Sequence, residues 1–350
     1  MSIEPGACNI GDLEYSISEM LGIPEDDGLN IVEVVKTDTA VTIRVVQDGE
    51  NRTPFFIKTV SRTKEAHPGV RLGIREVRFY DFINGFDSEL ITAVPKCIRH
   101  HVSQDNKKYY LVLEDLSETH QDYREIDFTD PVSWKYALSA LADFHKNFIG
   151  KLSQQHILDH TDDVNAIEAY IGKLESAYDQ FRAYAQGRVE PSVFSLLEKT
   201  IPIIREIELE KYARINENKI TTLLNRDCHL RNFLYPKNSS ESAKIVDWQF
   251  WGMGIGTFDL RHLLGSALRG DLRQQQRELV EFYYQQLTRD LPLDYTWDDC
   301  WEDYRKGVID NLFMPVWQYA GFGWEYERWE NTLNSAIENY YALGCGEIKV

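Results

Sequence analysis

Apolar and polar residues alternate along Ala40-Val41-Thr42-Ile43-Arg44-Val45. Turn formers interrupt at Asp48-Gly49-Glu50-Asn51, and a second β-rich run follows at Pro54-Phe55-Phe56-Ile57-Lys58-Thr59-Val60. A period of two with turn residues between the runs marks half-buried strands, so strands are expected from Asn30 onward. Ahead of them, Ile10 to Leu21 has helical spacing and stops at Gly22-Ile23-Pro24, a helix followed by breakers. Arg71 to Phe82 returns to a helical period. Lys96 to Val102 and Lys108 to Leu113 form another strand pair, joined by the turn-rich Gln104-Asp105-Asn106. From there the pattern is helical over Trp134–Phe148, Ala166–Gln186 and Pro191–Arg214. The stretch from Thr221 to Leu264 then reads as a short strand, a tight polar loop, a hairpin, an acidic loop and a helix start.

Two polar residues sit where the pattern calls for apolar ones. Lys58 lies inside a β-rich run, and Glu76 shares a helix face with Leu72, Phe79 and Ile83. A carboxylate on such a stripe is expensive to bury without a partner. A strand lysine paired with an inward glutamate on the next helix is the arrangement that positions nucleotide phosphates in kinases, so Lys58 and Glu76 are expected to pair. His145, within the Trp134–Phe148 helix, is expected to pack in the core.

The chemistry concentrates in Asn225-Arg226-Asp227-Cys228-His229-Leu230-Arg231-Asn232, followed by Ile245-Val246-Asp247-Trp248. An Asp, an Asn five residues later and a second Asp past a hairpin suit phosphoryl transfer. One carboxylate accepts the proton of the attacking hydroxyl, while the amide and the other carboxylate hold Mg²⁺ against the phosphates. Mg²⁺ needs few protein ligands once phosphates and water complete its shell. Asp227 is therefore the expected base, and Asn232 and Asp247 the expected Mg²⁺ ligands.

These residues resemble the aminoglycoside-phosphotransferase and choline-kinase superfamily, including its ecdysteroid-kinase-like branch. Members carry H-G-D-x-H-x-x-N and then D-W or D-F; here Asp227, His229, Asn232 and Asp247-Trp248 match, with Asn225-Arg226 in place of His-Gly. The family's first His braces the catalytic loop, and Asn225 can donate and accept in its stead. The resemblance implies an α+β, two-lobed, protein-kinase-like fold, with a small antiparallel-sheet N-lobe and a larger, mostly helical C-lobe. It implies a nucleotide-binding lobe over residues 1–115 and a catalytic and acceptor-binding lobe over 116–350. It makes Leu113-Glu114-Asp115-Leu116 the hinge, with backbone groups of Glu114 and Leu116 on the adenine edge. It gives Asp259 a bracing role and puts acceptor binding in the aromatic-rich Trp297–Tyr341 segment, whose residues taken alone read equally as a helical subdomain with an aromatic core. The turn Val35–Ala40 lacks glycine, leaving Thr37 and Thr39 hydroxyls and backbone amides to face phosphates.

Composition narrows the picture further. With 350 residues the chain has room for two lobes, and its net charge of −18 opposes nucleic-acid binding while favouring a cationic acceptor. Five scattered cysteines without a CxxC pair suit a reducing compartment and no structural zinc. Neither a leader nor a run of apolar residues long enough to span a membrane is evident, so a cytoplasmic location is expected. The glycines of Gly252, Gly254 and Gly256 lack the βαβ context of a dinucleotide site. The expected activity is transfer of the γ-phosphoryl of ATP (or GTP) to a hydroxyl of a small molecule. One competing reading is a pseudokinase-like nucleotide-binding module without turnover, motivated by Asn225-Arg226 and the glycine-free turn. A protein kinase ranks lower, since no A-P-E segment follows Asp247 and the path to Asp259 leaves no room for an activation loop.

Overall fold

The fold is taken from a computed structural model, which describes residues 13–24, 28–37, 39–47, 53–60, 68–86, 91–152, 164–217, 219–238, 241–268 and 270–348. The expected turn at Asp48–Asn51, Asp38 of the Val35–Ala40 turn, Cys8, and the first residues of the Ile10–Leu21 helix lie outside the described residues. The chain groups into two compact units: Met1–Ile126 with Arg231–Trp251, and Asp127–Leu230 with Gly252–Val350. This grouping differs from a single boundary after residue 115, because the Arg231–Trp251 hairpin joins the first unit although, among the described residues, three α-helices of the second unit precede it in sequence.

In the first unit, α1 (Ile17–Leu21) is followed by β1 (Leu29–Lys36), β2 (Val41–Gln47), β3 (Thr53–Thr59), α2 (Pro68–Ile83), β4 (Cys97–Val102) and β5 (Tyr109–Glu114). The strands form one sheet in the order β1-β2-β3-β5-β4, and every neighbouring pair is antiparallel. The alternation seen in sequence sorts its faces. Val41, Ile43 and Val45 of β2, Phe55 and Ile57 of β3, and Tyr110 and Val112 of β5 pack with Leu13, Ile17 and Met20 in one core. The intervening Thr42, Arg44, Phe56 and Lys58 line a cleft, as a period of two requires. Helix α1 is shorter than its apolar spacing suggests because Ser16 caps it, its side chain accepting from the Glu19 N–H at 3.1 Å, and Gly22 ends it at φ 71°. A small second sheet orders β6 (His120–Gln121), β8 (Phe233–Pro236) and β9 (Lys244–Ile245).

The second unit contains α3 (Pro131–Phe148), α4 (Val164–Ala185), α5 (Pro191–Asn216), β7 (Thr221–Leu224), β10 (Gly252–Ile255), α6 (Thr257–Ala267), α7 (Gln276–Thr288), α8 (Trp297–Asn311), α9 (Met314–Phe322) and α10 (Tyr326–Ala342). The glycine-spaced segment after Asp247 is a strand: β10 pairs antiparallel with β7. Glycine is a poor strand former, yet the site demands it, since a Cβ on Gly252 would meet the Arg226 guanidinium at 2.3 Å. Of the aromatic-rich segment, Tyr304 and Trp329 are wholly buried. A buried network joins α5 to α8, with Arg214 donating to Asp303 at 2.7 Å and the Tyr295 hydroxyl donating to the same carboxylate at 2.7 Å. Among the described residues no helix is long and apolar enough to cross a membrane.

Candidate active site

The first unit holds a cleft of about 560 Å³. Its lining includes Lys58, Glu76, Asn232 and Asp247, together with Glu114 and Leu116 after β5. Six of the seven residues singled out from sequence thus face one space. The seventh, Asp227, belongs to the second unit.

Lys58 is the centre of the cleft's electrostatics. Its ammonium lies 2.6 Å from Glu76 Oε2 and donates to Asp247 Oδ1 at 2.8 Å. Burial works to lower the lysine's affinity for its proton, but the carboxylates of Glu76 and Asp247 outweigh it and hold the ammonium well above its usual range. Burial pushes the Glu76 carboxyl up, while the Lys58 charge pulls it back. The sequence periodicity located this glutamate, and the structure shows why α2 presents it so firmly. Phe79 stacks on Trp248 with ring centroids 4.0 Å apart and planes 4° apart. Arg75 donates from Nε to the Gln249 carbonyl at 3.0 Å and from Nη2 to the Trp251 carbonyl at 2.9 Å. The Trp251 indole N–H donates back to the Arg75 carbonyl at 2.9 Å, and the Trp248 backbone N–H donates to Glu76 Oε1 at 3.3 Å. Helix α2 and the Asp247–Trp251 loop are therefore one clamped body. Asp247 itself has φ 61°, a left-handed conformation that a short polar side chain tolerates better than most.

Asn232 is brought beside Asp247 through backbone, the Val246 N–H donating to the Asn232 carbonyl at 2.9 Å. Asn232 and Asp247 together offer an amide and a carboxylate oxygen toward the cleft. That donor set fits Mg²⁺ arriving with a nucleotide, since phosphates and water would supply the other ligands. Among the described residues no three His, Cys, Asp or Glu side chains group to hold a metal alone.

At the end of β5, the Glu114 carboxylate accepts the Lys96 N–H at 2.8 Å and its own backbone N–H donates to the Lys96 carbonyl at 3.0 Å. The turn between β1 and β2 is built by Thr37, whose hydroxyl accepts from the Ala40 N–H at 3.0 Å and donates to the Ala40 carbonyl at 3.1 Å. A threonine side chain thus closes this turn, which has no glycine. Gly69 of α2 lets the turn lie close, since a Cβ there would fall 2.0 Å from the Thr39 carbonyl oxygen.

In the second unit, the loop carrying Asp227 is held by buried groups. Asp259 accepts the Asn225 N–H at 2.7 Å and the Arg226 N–H at 2.9 Å. Its carboxylate also lies 3.4 Å from His145 Nε2, whose other ring nitrogen meets the Tyr283 hydroxyl at 2.7 Å. His145 is a buried support. The Asn225 side-chain oxygen accepts the Asp227 N–H at 3.1 Å, so this asparagine braces the loop from inside. Around the Asp227 carboxylate stand two imidazoles, His229 Nε2 at 3.6 Å and His262 Nδ1 at 4.0 Å. Burial, with His229 and Arg261 adding to it, takes the His262 imidazole down to about 3, so it stays neutral at physiological pH. His262 was missed in sequence because it is far along the chain, though its place one helical turn after Asp259 on α6 was a usable signal.

Asp259→Ala is expected to orphan two backbone N–H groups of the Asp227 loop. At about 1–3 kcal/mol for each buried donor left unsatisfied, the variant should unfold at a visibly lower denaturant midpoint with an unchanged slope. A chemical denaturation curve checks this, and a midpoint equal to wild type would remove Asp259 from its bracing role.

Residues 39–293 match the model of the ecdysteroid kinase-like family. The chain belongs to the ecdysteroid kinase-like family. Solved structures show the same fold. A Plasmodium vivax ethanolamine kinase superposes with TM-score 0.54 at 14% identity, covering 91% of this chain and 82% of its own. A candidate aminoglycoside phosphotransferase of Ralstonia eutropha gives 0.56 at 14% identity, over 96% of this chain and 94% of its own. The Streptococcus pneumoniae choline kinase LicA gives 0.51 at 10% identity, over 89% and 94%. No curated protein sequence matches the chain. This ecdysteroid kinase-like protein therefore has a protein-kinase-like fold, with a small antiparallel sheet and a larger helical part.

Proposed function

We propose that this ecdysteroid kinase-like protein is a Mg²⁺-dependent phosphotransferase that moves the γ-phosphoryl group of ATP (or GTP) to a hydroxyl of a small molecule. The observation that carries the reading is Lys58, buried in the cleft and bonded at once to Glu76 and Asp247. A lysine so fixed presents its charge where a phosphate chain would enter. Asn232 and Asp247 would hold Mg²⁺, which offsets the charge of the phosphates when bound. The main chain of Glu114 and Leu116 would meet the base, a role supported by the Leu116 N–H donating to no described group.

Asp227 is assigned as the base. The acceptor hydroxyl oxygen forms a new bond to the γ-phosphorus, the bond from that phosphorus to the β,γ-bridging oxygen breaks, and the nucleoside diphosphate leaves. The hydroxyl proton passes to the Asp227 carboxylate. A neutral His262 beside that carboxylate adds no positive charge there, and so preserves its readiness to take a proton. The strongly acidic chain, with a charge of −18, favours an acceptor that is neutral or cationic.

Thermal shift with ATP, with and without Mg²⁺, tests nucleotide binding. Phosphate transfer from labelled ATP to a panel of amino alcohols, sterols and sugars tests the reaction. Mg²⁺-dependent stabilisation together with transfer to at least one alcohol is the expected result. Stabilisation with neither transfer nor slow ATP hydrolysis would instead make the protein a nucleotide-binding module.

A further inference from the structure

The cleft lining contains four basic side chains: Arg44, Lys58, His120 and Arg231. Three are already committed. Arg44 donates to Asp115 at 3.0 Å and to the Ser117 hydroxyl at 2.5 Å. Lys58 serves two carboxylates. The His120 ring bonds the Thr119 hydroxyl at 2.8 Å and the Ser242 carbonyl at 3.0 Å. Arg231 is different. It is exposed, and among the described residues it has neither an ion pair nor a side-chain hydrogen bond.

Its position along the chain is equally specific. Arg231 directly precedes Asn232 in the short 3-10 turn Leu230–Asn232. The hydrogen bond from the Val246 N–H to the Asn232 carbonyl sets that turn beside Asp247, and Asp247 is bonded to Lys58. Arg231 therefore lines the same cleft as Lys58 and Asp247, one residue from Asn232, and Lys58 already serves both Glu76 and Asp247. A nucleoside triphosphate is polyanionic, and a guanidinium matches phosphate oxygens with two parallel donors. Among the described residues this guanidinium has no carboxylate partner, so its charge is available to an anionic ligand in the cleft.

We infer that Arg231 is a further catalytic residue, contacting the terminal phosphate of the nucleotide and stabilising the charge that its oxygens carry during transfer. The inference rests on the phosphotransferase reading above. In the transfer step Arg231 exchanges no proton. It keeps its charge, donates N–H groups to non-bridging oxygens of the γ-phosphoryl group, and releases them once the phosphate has moved to the acceptor.

The test compares ADP with a non-hydrolysable ATP analogue, each with Mg²⁺, by calorimetry on wild type, Arg231→Ala and Arg231→Lys. Wild type should prefer the triphosphate. Arg231→Ala should lose about tenfold in affinity for the analogue while its ADP affinity holds, and Arg231→Lys should recover part of the loss. Where an acceptor is known, kcat should fall about 100-fold in the Ala variant, the scale for removing one donor to a developing oxyanion. An unchanged ratio of ADP to analogue affinity would overturn the assignment, even if the acceptor KM rose, because Arg231 would then serve the acceptor. Wild type binding neither nucleotide would be a different failure, bringing down the phosphotransferase reading and this inference with it.

Discussion

Asp227→Asn is expected to abolish most turnover while leaving nucleotide affinity close to wild type. The substitution keeps the side chain's shape beside His229 and His262, at 3.6 and 4.0 Å in the native protein, and removes its negative charge and with it the capacity to take a proton. Its backbone N–H still has the Asn225 side-chain oxygen to donate to, so the loop has no reason to move. A positioned general base contributes about 10²–10⁴-fold, and kcat should fall by that range. Kinetics on the best acceptor, with nucleotide binding measured by calorimetry on the same preparation, separate the two terms. A variant that turns over at the wild-type rate would show that Asp227 is not the base. One that loses nucleotide affinity in proportion would show instead that the carboxylate holds the metal–nucleotide complex.

The contrast between what the sequence disclosed and what it hid has a physical basis. Glu76 could be read because it interrupts an apolar helix face, and Lys58 because it is a single charge in a β-rich run; a charge in a buried place demands a partner. The strands β2 and β3 were legible because alternation sorted Ile43 and Ile57 from Arg44 and Lys58 onto opposite faces. The Asn225–Asn232 loop stood out as a set of residue types at fixed spacing, and Asn225 could be named as its brace because an amide can accept a backbone N–H. The clamp between α2 and the Asp247–Trp251 loop was not legible. It depends on Arg75 meeting main-chain carbonyls of Gln249 and Trp251, and carbonyls have no signature in a sequence. Strand β10 was hidden by its glycines, which read as a loop until Arg226 and Leu224 are seen to need the room. Arg231 was hidden because an arginine in a polar loop is ordinarily a solvated one, and only its neighbours' prior commitments single it out.

Lys58→Met is expected to destabilise the fold in a pH-dependent way as well as to weaken triphosphate binding. The Glu76 side chain is 2% exposed, and the native lysine is its counter-ion. Removing one member of a buried ion pair costs about 3–5 kcal/mol, because the remaining charge has no compensation. The sign with pH follows from Glu76. Burial already raises its pKa in the folded protein, and Lys58 is what pulls it back, so the variant's folded-state pKa should climb further. A carboxyl whose folded pKa lies above its unfolded value keeps its stability below the unfolded pKa, about 4.3, and loses it as pH rises through the folded value. The deficit relative to wild type should therefore be small near pH 4 and grow toward neutrality. Denaturation curves of both proteins across that interval measure it. The double variant Lys58→Met with Glu76→Gln leaves only the partly solvated Asp247 carboxylate without its partner, so it should recover much of the loss at pH 7 and show a flatter difference from wild type. A deficit in the single variant that is the same at pH 4 and pH 7 would mean that Glu76 is not the group left bare, and that Lys58 stabilises the cleft through its hydrocarbon chain alone.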